Sequence, residues 1–150
     1  MASFLYNGGL AKILSLFNST TAAALKVRLV MTNTTVDTEN DTKDTLNDFT
    51  TMDTHDGSGY VDKTLASITI AQDDTNGGAT LDAADVVWTS LGAGTRAIEG
   101  ALVYHEDAAA DSTRSPILFF DTSNISSNGG DVTLSFNASG LFRITGTGAP

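Results

Sequence analysis

The chain has 150 residues and a mass of 15.6 kDa, room for one ordinary domain with a real core but not for two. It carries no cysteine, which excludes a disulfide framework, a thiolate metal site and a cysteine nucleophile. Its formal charge of −10 repels phosphate backbones and anionic lipid, so neither nucleic acid nor a membrane is expected as a partner.

The choice of residues narrows the fold. Fifteen of the acids are Asp and three are Glu, and Thr occurs 22 times against four Lys. Thr fits strands, whereas Asp and Gly fit turns, so the expected class is mostly β with polar, acidic loops. The segment 1–17 is apolar but lacks a basic flank and is interrupted by Lys12. It therefore reads neither as a signal peptide nor as a membrane span.

In chain order, Leu10, Ile13, Leu14 and Phe17 fall at i, i+3, i+4 and i+7 behind a capping Asn7, predicting one short N-terminal helix. Phe4, Leu5 and Tyr6 precede it and read as a turn or docking hook, so residues 1–20 form a helical segment and possible docking arm. Residues 21–150 form the β domain. Leu25 to Met31 alternates strictly and predicts a half-buried strand, with Lys26, Arg28 and Val30 on the second face. Leu46, Phe49 and Met52 suggest a helical turn behind Asp44. Further strands are expected at Tyr60 to Ala71, at Ala79 to Leu81 across the Asp73–Gly78 hairpin loop, and at Val86 to Trp88. Arg96 to Glu106, Ile117 to Phe120, Val132 to Phe136 and Leu141 to Thr145 complete the set. Seven or eight strands joined by polar turns predict an antiparallel β-sandwich or jelly-roll-like domain. Leu25, Val27, Leu29, Ile98, Leu102, Ile117, Phe119, Leu134 and Phe136 are the expected core, and Trp88, Tyr60 and Tyr104 are read as core aromatics.

Motifs for catalysis are missing. No G-x-S-x-G elbow, H-E-x-x-H or phosphate loop occurs, and the two histidines, His55 and His105, read as solvated loop and strand-end residues. The expectation is a protein that is not an enzyme and has no cofactor. Asp53 and Asp56 beside Gly57-Ser58-Gly59, and Asp73-Asp74 with Asn76, are weak calcium candidates, because Ca²⁺ accepts irregular sets of oxygen ligands. Neither has EF-hand spacing, and solvated turns explain both. The five Asn-x-Ser/Thr sites, at Asn18, Asn33, Asn40, Asn124 and Asn137, carry no weight without a secretory signal.

Several blocks resemble, in order, a family of small tailed-bacteriophage virion proteins of the capsid decoration, cement or head-fibre type. They are Leu5-Tyr6-Asn7 with Ile13-Leu14 and the strand from Leu25; Gly57-Ser58-Gly59-Tyr60; Leu81 to Thr89 followed by Gly100 to Tyr104; Ser115 to Asp121; and Gly129-Gly130-Asp131. The block from Leu81 is the most specific. Asp62 and Lys63 depart from the pattern, replacing glycines that relatives often carry after the tyrosine, and so does Glu99, where a neutral residue is usual. The resemblance implies a structural role on the virion, with no catalytic residue to carry over.

On that reading the protein decorates the outer surface of a capsid, bound to the major capsid protein and to itself as a dimer or trimer. A tail, neck or fibre-associated protein and a carbohydrate-binding β-sandwich are the alternatives. An acidic, Thr-rich surface suits an outward face and is wrong for packaged DNA. The expected partner-binding residues are Phe4, Leu5, Tyr6, Lys12 and Arg114, the last in a loop between strands. The regions Asp37 to Asp48 and Asp53 to Asp62 are expected to face solvent or bind Ca²⁺.

Overall fold

The computed structural model describes residues 3–5, 25–39, 42–73 and 78–145. Among them the strands are β1 (Ser3–Leu5), β2 (Leu25–Met31), β3 (Lys63–Thr64), β4 (Thr69–Asp73), β5 (Gly78–Asp82), β6 (Val86–Trp88), β7 (Ile98–Glu106), β8 (Arg114–Ile125), β9 (Val132–Leu134) and β10 (Phe142–Thr145). They form three antiparallel sheets, ordered β1-β8-β7-β2-β3, β10-β5-β4 and β6-β9. The molecule is mostly β, as its Thr, Asp and Gly content dictates. The predicted helix at Asn7 to Phe17 lies outside the described residues.

The alternation of β2 sets the central sheet. Val27 faces Val103 and Leu29 faces Ala101 across β7, and β8 continues the same face with Leu118 opposite Val103. These residues enter a core that also draws Leu81 from β5, Phe142 from β10 and Val86 and Trp88 from β6, so one apolar cluster takes side chains from all three sheets. Leu134 and Phe136 were expected fully inside. They are only half-buried at the margin of that cluster, because β9 pairs with β6 alone.

The second face of the central sheet is not open to water. The excursion between β2 and β3 folds over it, and Val36, Leu46 and Phe49 pack on Val30, Leu102, Tyr104 and Phe119 as a smaller core. β2 is thus buried on both faces rather than half-buried. The predicted helical turn is a 3-10 turn, Leu46–Asp48, with the Asp48 carboxylate accepting the Thr45 N–H at 2.8 Å. The excursion is clamped by Glu39, which accepts from the Thr50 hydroxyl at 2.6 Å, the Thr50 N–H at 2.9 Å and the Thr35 hydroxyl at 2.7 Å. Together these bonds, led by the Thr50 hydroxyl, lower the Glu39 pKa to about 2.

Two local expectations are revised. Tyr60 to Ala71 is not one strand: Ser67 takes a left-handed conformation (φ 52°) and separates β3 from β4. β8 runs through Ile125, well past the apolar Ile117 to Phe120, since its polar continuation still pairs with β7 as far as Ile98. Gly100 is required where β7 meets β8, because a Cβ there would collide with the Phe119 ring and the Phe120 carbonyl.

Candidate functional site

Of the residues expected to contact a partner, Phe4 and Leu5 lie in β1, which forms the outer edge of the central sheet with Phe4 opposite Phe119 and Leu5 opposite Leu118. They form neither the expected turn nor a free hook. Tyr6 and Lys12 lie outside the described residues. Arg114 opens β8 instead of sitting in a loop, and its charge is met within the chain. Its guanidinium donates to Glu106 Oε1 at 2.6 and 3.1 Å and to Asp111 Oδ1 at 2.7 Å.

Arg114 belongs to a larger polar network on the second face of the central sheet. Period two places Lys26 and Arg28 on that face of β2, beside Tyr104 and Glu106 of β7. The Arg28 guanidinium, 6% exposed, donates to Asp62 at 3.0 Å and to both Asp111 oxygens at 2.9 and 3.1 Å. Asp62 also accepts the Tyr60 hydroxyl at 2.7 Å and the Tyr104 hydroxyl at 2.8 Å, and the Tyr60 oxygen accepts the Leu29 N–H at 2.8 Å. Both guanidinium carbons, of Arg28 and Arg114, stand 5.4 Å from the Tyr104 ring centre. Lys26 pairs with Glu106.

Three cations, Lys26, Arg28 and Arg114, therefore meet three carboxylates, Asp62, Glu106 and Asp111, and the cluster is neutral. Burial opposes the Arg28 charge, but the bonds to Asp111 and Asp62 outweigh it and raise its pKa. Burial likewise works against the Asp111 carboxylate, yet Arg28 and Arg114 hold its pKa below the usual range. Bonds from Lys26 and Arg114 depress Glu106. Burial pushes the Tyr60 and Tyr104 phenols up, and Asp62 pushes them further. Asp62, in a region expected to face solvent, is instead the partner of a buried arginine.

Both histidines, expected at solvated positions, are buried. His55 is 3% exposed and His105 is 7% exposed. His55 is drawn inside because its backbone N–H bonds the Leu29 carbonyl at 3.0 Å, continuing the edge of β2. Its ring meets Tyr60 edge-on at 5.4 Å, and Tyr60 stacks on Trp88 at 6.4 Å. Gly57 and Gly94 make room for the ring, since a Cβ at either would strike it. His105 Nδ1 lies 3.1 Å from Asp107 Oδ1.

His55 Nε2 lies 3.3 Å from Ser127 Oγ, a pair that invites a nucleophile–base comparison. The Ser127 hydroxyl instead donates to the Gly92 carbonyl at 2.8 Å, and His55 Nδ1 has no hydrogen-bond partner among the described residues. His55 Nε2 lies 3.3 Å from the same Gly92 carbonyl, so the three groups tie the segments at 55, 92 and 127 together.

The calcium candidates separate. Asp53 pairs with Arg96, while Asp56 accepts the Thr95 hydroxyl at 2.7 Å and the Thr95 N–H at 2.8 Å. The Thr95 bonds, the hydroxyl first, lower the Asp56 pKa. Asp74 and the side chain of Asp73 lie outside the described residues, and among those described no group of three or more acids and histidines is placed to hold a metal ion.

No family model, curated protein or solved structure matches this chain.

Proposed function

We propose that the protein is a non-enzymatic structural component of a tailed-phage virion, an outer capsid decoration or cement protein that binds the major capsid protein and copies of itself. The observation that carries this reading is where the resembling blocks meet. Tyr60 from the second block stacks on Trp88 from the third, Leu91, three residues past Trp88, bonds Gly130 of the last block, and Tyr104 stands opposite Pro116 of the fourth. Residues scattered along the chain, and quoted for their order alone, are neighbours across the two cores of one domain. That is what a shared fold requires of a pattern.

The finer architecture belongs to the same proposal. An apolar cluster fed by all three sheets supports a sandwich or jelly-roll-like arrangement. The charge of −10 supports an outward, solvent-facing location, and β1 at the sheet edge supports an N-terminal attachment segment.

The test is co-sedimentation of the purified protein with phage particles lacking it, followed by mapping of the added density. Saturable binding on the shell is expected, and it should be lost when residues 1–6 are deleted while circular dichroism shows the β domain intact. Wild-type occupancy by the deleted chain would remove the attachment role. Density on the tail or neck would overturn the capsid assignment.

A further inference from the structure

The β10-β5-β4 sheet buries one face and builds a site on the other. Leu81 and Phe142 point into the core, so the alternate residues Thr80, Asp82 and Arg143 point away from it, joined in register by Thr69 and Ala71 of β4. These residues floor a cavity of about 420 Å³. Its wall is the turn before β10, where Ser139 N–H donates to Asn137 Oδ1 at 2.9 Å, Gly140 N–H to the Asn137 carbonyl at 2.8 Å and Leu141 N–H to the Leu81 carbonyl at 2.7 Å. Gly140 is needed there: its φ is +89°, and a Cβ would strike the Thr80 methyl.

We propose that this cavity binds a neutral saccharide unit. Its volume lies at the lower end of small-molecule sites, enough for one or two sugar rings. The lining chemistry matches a polyol. Asp82 Oδ1 is fixed by the Ala83 N–H at 2.8 Å, which orients the carboxylate as an acceptor for sugar hydroxyls. Arg143 supplies donors, and Thr69, Thr80 and Ser139 supply hydroxyls that both donate and accept. Ala71 and the threonine methyls give the C–H face of a ring an apolar patch. One carboxylate and one guanidinium leave the lining near neutral within a protein of charge −10, which disfavours phosphates and carboxylates as ligands. No aromatic ring lines the cavity, so each site is weak, and repeated copies on a surface would multiply it through avidity. The proposal does not depend on the virion reading, because the free protein should bind.

The experiment is a titration of the ¹⁵N-labelled chain with the methyl glycosides of glucose, galactose, mannose and N-acetylglucosamine, followed by amide shifts. At least one should give saturable, millimolar-range shifts confined to β4, β5 and the 138–143 segment. Asp82→Asn retains an oxygen for the Ala83 N–H but loses the charge, and should weaken binding about tenfold. Thr80→Val provides a second weakened variant, and Val87→Thr, on β6, should bind as the wild type does. Absence of saturable shifts with all four sugars, shifts centred elsewhere, or wild-type binding by both folded cavity variants would overturn the proposal.

Discussion

One face of the β8–β7–β2 sheet sends Leu25, Val27, Leu29, Ala101 and Val103 into the larger core, which holds no ion pair between its members. The other face sets Val30, Leu102 and Phe119 beside Arg28, which is held by two carboxylates and flanked by a tyrosine ring. Both faces are covered, but they respond to change differently. An apolar contact fails in proportion to the atoms removed, whereas a buried ion network fails as a unit, because each lost partner strands the charges it met.

The largest expected effect follows from that difference. Arg28→Ala should destabilise the protein by about 3 kcal/mol in urea unfolding, since it leaves Asp62 without a cation while Asp111 keeps Arg114. Replacing Arg28 and Asp62 together with Met and Asn should cost less than the sum of the two single changes, because Asp111 keeps Arg114 and the remaining cluster stays neutral. Additive losses would show that the two act independently.

Next comes the seam between β7 and β8. Gly100→Ala should cost about 1–3 kcal/mol, because the new methyl must displace the Phe119 ring or the Phe120 backbone. An unchanged unfolding midpoint would mean that the smaller core is loosely packed around Phe119. On the apolar face, Ile117→Val should cost only about 0.5–1.5 kcal/mol, the graded response of a contact that loses one methylene.

The two faces also differ in how far the sequence reveals them. Strict alternation from Leu25 to Met31 predicts the register of β2 and the apolar face correctly, and turn residues at Asp73 to Gly78 predict the β4–β5 hairpin. The second face is invisible to such patterns. Arg28 finds Asp62 34 residues away and Asp111 83 residues away, and Ser127 lies 72 residues from His55. A period-two rule assigns polar residues to water unless something covers them, and the cover here is the excursion from Asn33 to Asp62. A signal was present nonetheless. Arg28 stands between Val27 and Leu29 in a strand with Val30 on its own face, and Tyr60 and Asp62 lie two residues apart in an acidic loop. The cavity on the β10-β5-β4 sheet was equally hidden, since Thr69, Thr80, Asp82 and Arg143 are ordinary outward strand residues until pairing brings them together.

The smallest effect separates the clamp on the excursion from the network beneath it. Glu39 has a folded-state pKa lowered from 4.5 to about 2, chiefly by the Thr50 hydroxyl, then by the Thr50 backbone and Thr35. A depressed carboxyl contributes stability that is fully present above its unfolded value and is lost as pH falls through the folded one. The Glu39 contribution should therefore be intact above pH 4.5 and disappear as pH approaches 2. Asp111 and Glu106 are depressed in the same direction, so acid weakens both layers covering the second face. Glu39→Gln isolates the clamp. The variant should melt below the wild type near neutral pH, and the gap should close as the solution is acidified, because protonated Glu39 and Gln offer Thr50 similar acceptors. A gap that stays constant across that range would mean that Glu39 holds the excursion by shape rather than by charge. The acid sensitivity of the second face would then rest on Arg28, Arg114 and their carboxylates.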